Sequence, residues 1–334
     1  MVVAVDVGYG DLKAVAESGA RCTWQSTAQE RPDAAKRLGG VLGGSADGHL
    51  VSVGRQGVTT HYRVGGGGRR AWAATAAERA GYEVHVLTAV QLLGAEGQVD
   101  VVVGLPLALW FQPSQRQALA DRLRGLSAQV TVDRRPAATV TIRSVRVLPQ
   151  GAGAFQWALS RDPGLADRPT GLLDCGYRTT DYLLMRRADR GLAPDEAACG
   201  SVDAGVGVAY ERVRQALGDE SGVLVPEGAV EDALRHYRGR MFLCGQEVDV
   251  APRVRDALRA VAGEIADELR RAWTDRLGTL GAVLLAGGGG EALAPHLRAL
   301  HPLTGMVPDA AFSNALGFLS MLGVRVPALA AAGA

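Results

Sequence analysis

Gly171-Leu172-Leu173-Asp174-Cys175-Gly176-Tyr177-Arg178-Thr179-Thr180-Asp181-Tyr182-Leu183-Leu184 is two apolar runs joined by a glycine turn that carries an acid and two hydroxyls. Short apolar runs bounded by such a turn read as a β-hairpin. A tight turn of this kind gathers backbone N–H groups that can hold a phosphate, and the acid beside them can hold the water shell of a magnesium ion. Asp-x-Gly turns are common, so one alone decides little. This chain has two. Asp6-Val7-Gly8-Tyr9-Gly10-Asp11-Leu12-Lys13 lies over Asp174 to Asp181 without a gap, with Asp, Gly and Tyr coincident and Lys13 opposite Asp181.

Two such hairpins imply two related halves facing each other across a cleft. The plainer reading is chance identity at two turns. The similar apolar flanks, Met1 to Val7 and Gly171 to Leu173, favour duplication.

The 334 residues suffice for one large domain or two moderate ones, and 47% hydrophobic with 21% charged residues is ordinary for a globular chain. A net charge of +1 gives no electrostatic reason to expect nucleic acid or an anionic membrane as direct partner. Only two of the 36 basic residues are lysines, Lys13 and Lys36, which makes the place of Lys13 noteworthy. Cys22, Cys175, Cys199 and Cys244 lack metal-ligand spacing and read as reduced core thiols. No secretory signal pattern and no apolar run of about 18 residues is visible, so the expectation is a cytoplasmic protein without a membrane span.

Taken in order, Met1–Val7 reads as a central strand, Asp11–Ala16 as its return and Arg21–Gln25 as a third strand. The glycine-rich segment 31–68 reads as a small mobile excursion with one weak strand at His49–Gly54. Its Gly65–Gly68 run is no phosphate loop, because no Gly-Lys-Ser/Thr follows. Helices are expected at Trp72–Gly81, around Leu87–Leu93 and at Pro113–Leu126, and strands at Asp100–Pro106, Val130–Val132 and Thr139–Val147. At Val147-Leu148-Pro149-Gln150-Gly151-Ala152-Gly153-Ala154-Phe155 a strand meets a helix of small residues, which lets two backbones cross closely, as an interdomain hinge requires. Helices follow at Ala204–Leu217, Glu227–Arg238 and Val254–Trp273. Then Gly281–Ala286 runs into Gly287–Gly290 with a helix from Glu291, and a last helix covers Asp309–Leu322 before an Ala-rich tail from Pro327 that is expected to fray.

The Asp6 hairpin, the Pro-Gln-Gly helix start, the Asp174 hairpin, the strand into a Gly loop and the closing helix stand in a fixed order. That order resembles the actin, sugar-kinase and heat-shock-chaperone ATPase superfamily over nearly the whole chain, as phosphate-1, connect-1, phosphate-2, adenosine loop and connect-2. DVGYGDLK, VLPQGAGAF, LDCGYRTTDY and SNALGFL are most similar to the prokaryotic actin-like proteins of the ParM/StbA and archaeal-actin branch. The resemblance implies an α/β fold of two lobes, duplicated ribonuclease-H-like domains with a nucleotide cleft between them. Domain I would be 1–153 plus 309–334, with a small mobile subdomain at about 31–75, and domain II would be 154–308.

It also implies roles. Asp6 and Asp174 would hold Mg²⁺ through water. Lys13 would contact the β- and γ-phosphates, and the N–H groups around Gly8, Tyr9 and Gly10 and around Gly176, Tyr177, Arg178 and Thr179 would wrap them. Gln150 would orient the attacking water, with Asp174 assisting electrostatically. Gly205, Glu211, Arg235, Gly287, Gly288 and Gly289 would border the ribose and purine. Tyr9, Tyr177 and Arg178 depart from the family wording, which puts side-chain contacts to phosphate there in doubt but leaves the backbone contacts.

The function implied is ATP binding and hydrolysis, with GTP as the alternative nucleotide, coupled to head-to-tail self-assembly into filaments for plasmid segregation or cytoskeletal positioning. A DNA-binding adaptor protein is the candidate partner. A head-to-tail contact that does not close generates an open filament. The runner-up is a small-molecule kinase of the same superfamily, for a sugar or acid. Against it, Asp100 opens a strand and no obvious Asp follows Leu105-Pro106 to serve an acceptor hydroxyl. A chaperone-like module comes third, being expected to carry a long peptide-binding region after connect-2.

Overall fold

The computed structural model describes residues 1–30, 48–66, 81–189 and 191–326. Residues 72–80 of the expected Trp72–Gly81 helix, half of the expected mobile segment 31–68, Lys36 and the tail from Pro327 lie outside these residues. The chain divides into two compact units, one of Met1–Asp162 with Ala311–Ala334 and one of Pro163–Ala310.

The first unit is built on a nine-stranded sheet in the order β3-β2-β1-β7-β9-β8-β5-β6-β4. Its strands are β1 Val2–Val7, β2 Asp11–Ala16, β3 Arg21–Gln25, β4 Ala28–Glu30, β5 His49–Arg55, β6 Val58–Val64, β7 Gly97–Leu105, β8 Ser127–Val132 and β9 Ala138–Pro149. β1 is apolar at almost every position because both its faces are covered: Val3, Ala4, Val5 and Val7 are buried. It pairs antiparallel with β2 and parallel with β7, which pairs parallel with β9. Helices α1 Tyr82–Leu92, α2 Pro113–Leu123 and α3 Ala152–Arg161 complete the unit, with a closing helix at Ser313–Met321.

β5 and β6 form a hairpin around Gln56 and Gly57, both in the left-handed region (φ 49° and 80°), and β5 joins the main sheet through β8. The described part of the expected excursion is therefore sheet. β6 is hard to see in sequence, because only Val64 of its residues is buried and Thr59 to Arg63 read as polar loop.

The small residues after Gln150 allow a crossing inside this unit. A Cβ on Gly153 would lie 2.6 Å from the Phe318 ring and 2.7 Å from the Asn314 carbonyl oxygen, and one on Gly317 would overlap the Gly153 carbonyl. Small side chains at both positions let α3 and the closing helix pack backbone to backbone.

The second unit has the sheet order β12-β11-β10-β16-β17, with β13 also on β11. Here β10 is Thr170–Cys175, β11 Thr180–Ala188, β12 Gly191–Pro194, β13 Gly200–Val202, β16 Ala282–Ala286 and β17 Thr304–Met306. A separate hairpin pairs β14 Arg240–Leu243 with β15 Gln246–Asp249. Helix α4 is Val206–Ser221, α5 Ala229–His236, α6 Ala251–Ala272 and α7 Gly290–Leu297. α6 turns Val254, Leu258, Val261, Ile265 and Leu269 inward at three- and four-residue steps, each such side chain contributing about 1.5–3 kcal/mol by burial. Trp273 follows it, fully buried, with its indole N–H donating to the Ala198 carbonyl at 2.8 Å.

The two units repeat one local plan. β1 and β10 each pair antiparallel with the next strand and parallel with a later one, and β2 and β11 each take a further antiparallel strand, β3 and β12. Duplication thus shows in topology as well as in the motif.

Of the four cysteines, all free, Cys175 is buried and Cys22 and Cys199 are partly buried. Cys244 departs from the expected core position. It is exposed at the β14–β15 turn, in the left-handed region at φ 50°, where the chain must reverse at the hairpin tip.

Candidate functional site

β1 delivers Asp6 to its C-terminal end, and the register sets Asp6 opposite Lys13 and Val7 opposite Leu12. Gly8 to Gly10 close the turn. A Cβ on Gly8 would stand 2.9 Å from the Asp11 carbonyl oxygen, so only glycine fits without a shift. Lys13 Nζ donates to that same carbonyl at 3.2 Å, which holds the ammonium beside the turn and not out along the sheet.

Asp6 is buried, and both its carboxylate oxygens accept from side-chain amides. Gln150 Nε2 donates to Oδ1, and Asn314 Nδ2 donates to Oδ2 at 3.5 Å. An ionised carboxylate only accepts, so Gln150 must present its NH₂ to Asp6 and keep Oε1 as an acceptor. Chemically, such an oxygen can accept a hydrogen bond from a water. It offers no base, because an amide carbonyl is barely basic.

The second turn repeats the first with a different partner. Asp174 and Asp181 face each other in the register, Cys175 faces Thr180, and the Gly176 N–H donates to the Thr179 carbonyl at 2.8 Å. Two further segments converge on it. The Gly289 N–H donates to the Cys175 carbonyl at 2.8 Å, and the Gly207 N–H donates to the Tyr177 carbonyl at 2.7 Å. A Cβ on Gly205 would lie 2.6 Å from the Tyr177 carbonyl oxygen, and one on Gly287 would collide with the Asp174 carboxylate. Gly287 also has φ +81°. Thr180 Oγ1 fastens the same loop by donating to the Ala204 carbonyl at 2.7 Å. The structure therefore brings Asp174, Gly176, Tyr177, Gly205, Gly287 and Gly289 into one cluster, with Gly288 exposed at the loop tip.

The Tyr177 side chain turns into the unit. Its ring packs over Gly207 and lies edge-on to Tyr210, with centroids 6.2 Å apart. Its hydroxyl donates to Glu231 Oε2 at 3.0 Å. Arg178 lies 3.8 Å from Asp203. The Tyr177 side chain is thus committed to the interior of its unit, and at this position the turn offers a ligand only backbone.

Two residues assigned to the ribose and purine are held by close neighbours. Glu211 accepts from Arg214 Nε at 2.7 Å and Nη2 at 2.6 Å and from Gln215, and the Arg214 bond in first place holds its carboxyl below the usual range. Arg235 pairs with Glu231 at 2.7 Å. Beside Asp174, burial first and then the aspartate charge push the Cys175 thiol up to about 12, so it stays neutral.

Among the described residues no group of three or more His, Cys, Asp or Glu could cage a metal. The first turn carries one buried carboxylate, Asp6, and the second hairpin carries two, Asp174 and Asp181 opposite it. Each is a hard oxygen donor of the kind that suits Mg²⁺, which keeps several waters and takes one or two carboxylates alongside phosphate. No described helix is long and apolar enough to cross a membrane.

Two builders of these clusters escape a reading of the sequence, Asn314 and Glu231. Asn314 had a signal, being a polar residue at the head of an apolar helix. Glu231 had none, because its burial depends on a tyrosine 54 positions away.

Comparison with known proteins agrees with the fold. Residues 4–153 match the family model "Actin like proteins N terminal domain", and residues 172–299 match "Archaeal actin homologue MreB-like, C-terminal". The chain is 27% identical over 337 aligned positions to an archaeal actin homolog of Thermoplasma acidophilum, covering 95% of this chain and 97% of the relative. A 15-stranded ParM filament from Clostridium botulinum superposes with a TM-score of 0.81 at 22% identity, over 96% of this chain and 98% of that one. The crystal structure of an archaeal actin homolog in complex with ADP gives 0.76 at 20% identity, over 97% and 99%.

Proposed function

The chain belongs to the prokaryotic actin-like proteins, and from that premise we propose that it binds and hydrolyses ATP with Mg²⁺ and assembles head-to-tail into filaments. One observation carries the reading: the same acid-bearing hairpin turn is built twice, each on a strand flanked by the same antiparallel and parallel partners. The likeness to a ParM that forms a filament and to an archaeal actin homolog that takes ADP supports it.

The turn N–H groups at Gly8–Gly10 and Gly176–Thr179 would receive the phosphates, with Lys13 as the point charge. Asp6 and Asp174 would hold Mg²⁺ through water, and the ion when bound would offset charge on the phosphate oxygens. Gln150 orients the attacking water through Oε1. Gly205 and Gly287–Gly289 leave room for the nucleoside, while Glu211 and Arg235 would have to exchange their present partners to reach it. GTP is the alternative nucleotide. A cytoplasmic filament that positions DNA or other cargo through an adaptor protein is the cellular role that fits.

The kinase reading has less support. Asp100 is held by Arg143 and Ser144, and those bonds keep its carboxyl below the usual range within β7, where it is half-buried. Purified protein given Mg-ATP should scatter light and pellet on ultracentrifugation. Steady ATPase activity with no assembly at any concentration or level of crowding would sink the filament reading.

A further inference from the structure

Asn314 opens the closing helix beside Ala315, Leu316, Phe318 and Leu319, all buried, and is itself only 4% exposed. Its Oδ1 accepts from the Gly151 N–H at 2.9 Å and the Ala154 N–H at 3.1 Å. That is an N-cap for α3 supplied from another helix, since the cap residue Gly151 has no side chain to supply it. Its Nδ2 donates to Asp6 Oδ2 at 3.5 Å.

If capping were the whole task, aspartate would do it as well. A carboxylate accepts both N–H groups and also gains from the positive end of the helix. But aspartate at 314 would put a second buried carboxylate 3.5 Å from Asp6, where like charges repel and neither amide donor replaces the other. Only a side chain that accepts on one side and donates on the other satisfies both ends. Ser or Thr is too short to do both across this gap. The position also follows closely on the point where the chain re-enters its first unit at Ala311.

We propose that Asn314 is a positioning residue for Asp6: it ties the closing helix, the start of α3 and the carboxylate of the first turn into one rigid corner. Gln150 holds the other oxygen of Asp6, so the carboxylate is aimed from both sides before any ligand arrives. The inference rests on the reading of Asp6 as a nucleotide-site carboxylate only for its effect on nucleotide. The contact itself can be tested without one.

The test is a thermal-melting cycle on the full chain without nucleotide, using N314D, D6N and the double variant. N314D should melt lower than the starting protein, and D6N added to it should recover most of the loss, because an amide at 6 can donate to a carboxylate at 314. If D6N shifts the melting point equally in both backgrounds, the contact carries no coupling and the proposal falls. ATP affinity, measured with Mg²⁺ and with chelator, gives the second arm. N314D should lose at least tenfold of the Mg²⁺-dependent gain in affinity while binding in chelator is unchanged, and its kcat should fall. Unchanged values, in a starting protein that binds and hydrolyses ATP, would overturn the positioning role. Failure of the starting protein to bind ATP would instead refute the nucleotide reading, and the melting cycle would still decide the Asn314–Asp6 contact.

Discussion

The hydroxyl of Tyr177 donates to Glu231 Oε2 at 3.0 Å, and Glu231 Oε1 takes Arg235 at 2.7 Å, so the second turn is tied to α5 through one buried carboxylate. The tie lies wholly inside the second unit. It explains why a tyrosine can stand in this turn: the ring covers Gly207 and the hydroxyl meets a carboxylate instead of solvent.

Tyr177→Phe removes that donor and leaves the ring in place. A hydrogen bond to a charged, buried acceptor contributes about 1.5–3 kcal/mol, and the loss should appear as faster amide hydrogen exchange across α5 and the β10–β11 hairpin. Nucleotide affinity should stay within about threefold, because the turn presents backbone. Unchanged exchange would mean that the bond is incidental.

Gly287→Ala tests the glycine loop from its geometry alone. The position has φ +81°, and the new methyl would run into the Asp174 carboxylate and the Cys175 carbonyl. The left-handed conformation alone costs about 1–2 kcal/mol for a residue with a side chain. Displacement of Asp174 adds to that, so both stability and ATP hydrolysis should fall together. Gly288→Ala, at the exposed tip, should cost far less. A melting comparison of the two variants checks the contrast.

How far the sequence alone reaches follows from what is local. Asp6, Gly8, Gly10 and Lys13 lie within eight consecutive residues, and so do Asp174, Gly176 and Thr179, so each turn can be read directly. The convergence of Gly205 and Gly287 on the second turn is not local. It depends on β16 lying parallel to β10 and on α4 starting against Tyr177. Strands β13 and β17 are hidden because they are only three residues long, and β6 because it buries little more than Val64 although it pairs on both sides, so none carries an apolar alternation. The close helix crossing was legible from Gly153 and its small neighbours, but its partner Gly317 sits 164 positions later, and nothing local says that both belong to one unit.

The buried acids of the second unit predict a loss of stability in alkali. Burial first, then Asp174, pushes Cys175 up to about 12 from 9.0, and burial first, then Glu268, pushes Tyr182 up to about 12 from 10.0. Cys22, buried in the first unit, is likewise pushed up to about 12. Each is held neutral in the fold above its unfolded value, so the unfolded chain releases protons first. The stabilisation is complete below pH 9 and is lost as pH rises toward 12. Melting temperature should therefore drop steadily across that window. At pH 8, iodoacetamide should label exposed Cys244 and spare Cys175 in the native protein. Rapid native labelling of Cys175, read by peptide mass spectrometry, would show that its strand opens.

Gln150 gives the sharpest test of chemistry against structure, because its two ends do different things. Nε2 is held by Asp6, and Oε1 can accept a hydrogen bond from water. Gln150→Glu keeps the length but loses the donor and sets a second acid against Asp6. Gln150→Ala loses both ends yet leaves Asp6 with the Asn314 amide. If Oε1 orients the water, Gln150→Ala should slow ATP hydrolysis by about 10²-fold with nucleotide affinity nearly unchanged, the usual size of a lost positioning contact. Gln150→Glu should do worse on affinity, through repulsion near the phosphates, and should improve on lowering the pH as the new carboxyl takes a proton. Single-turnover phosphate release, measured beside equilibrium binding of a fluorescent ATP analogue, separates the two quantities. Equal loss of binding and hydrolysis in Gln150→Ala would mean that the side chain serves only to brace Asp6.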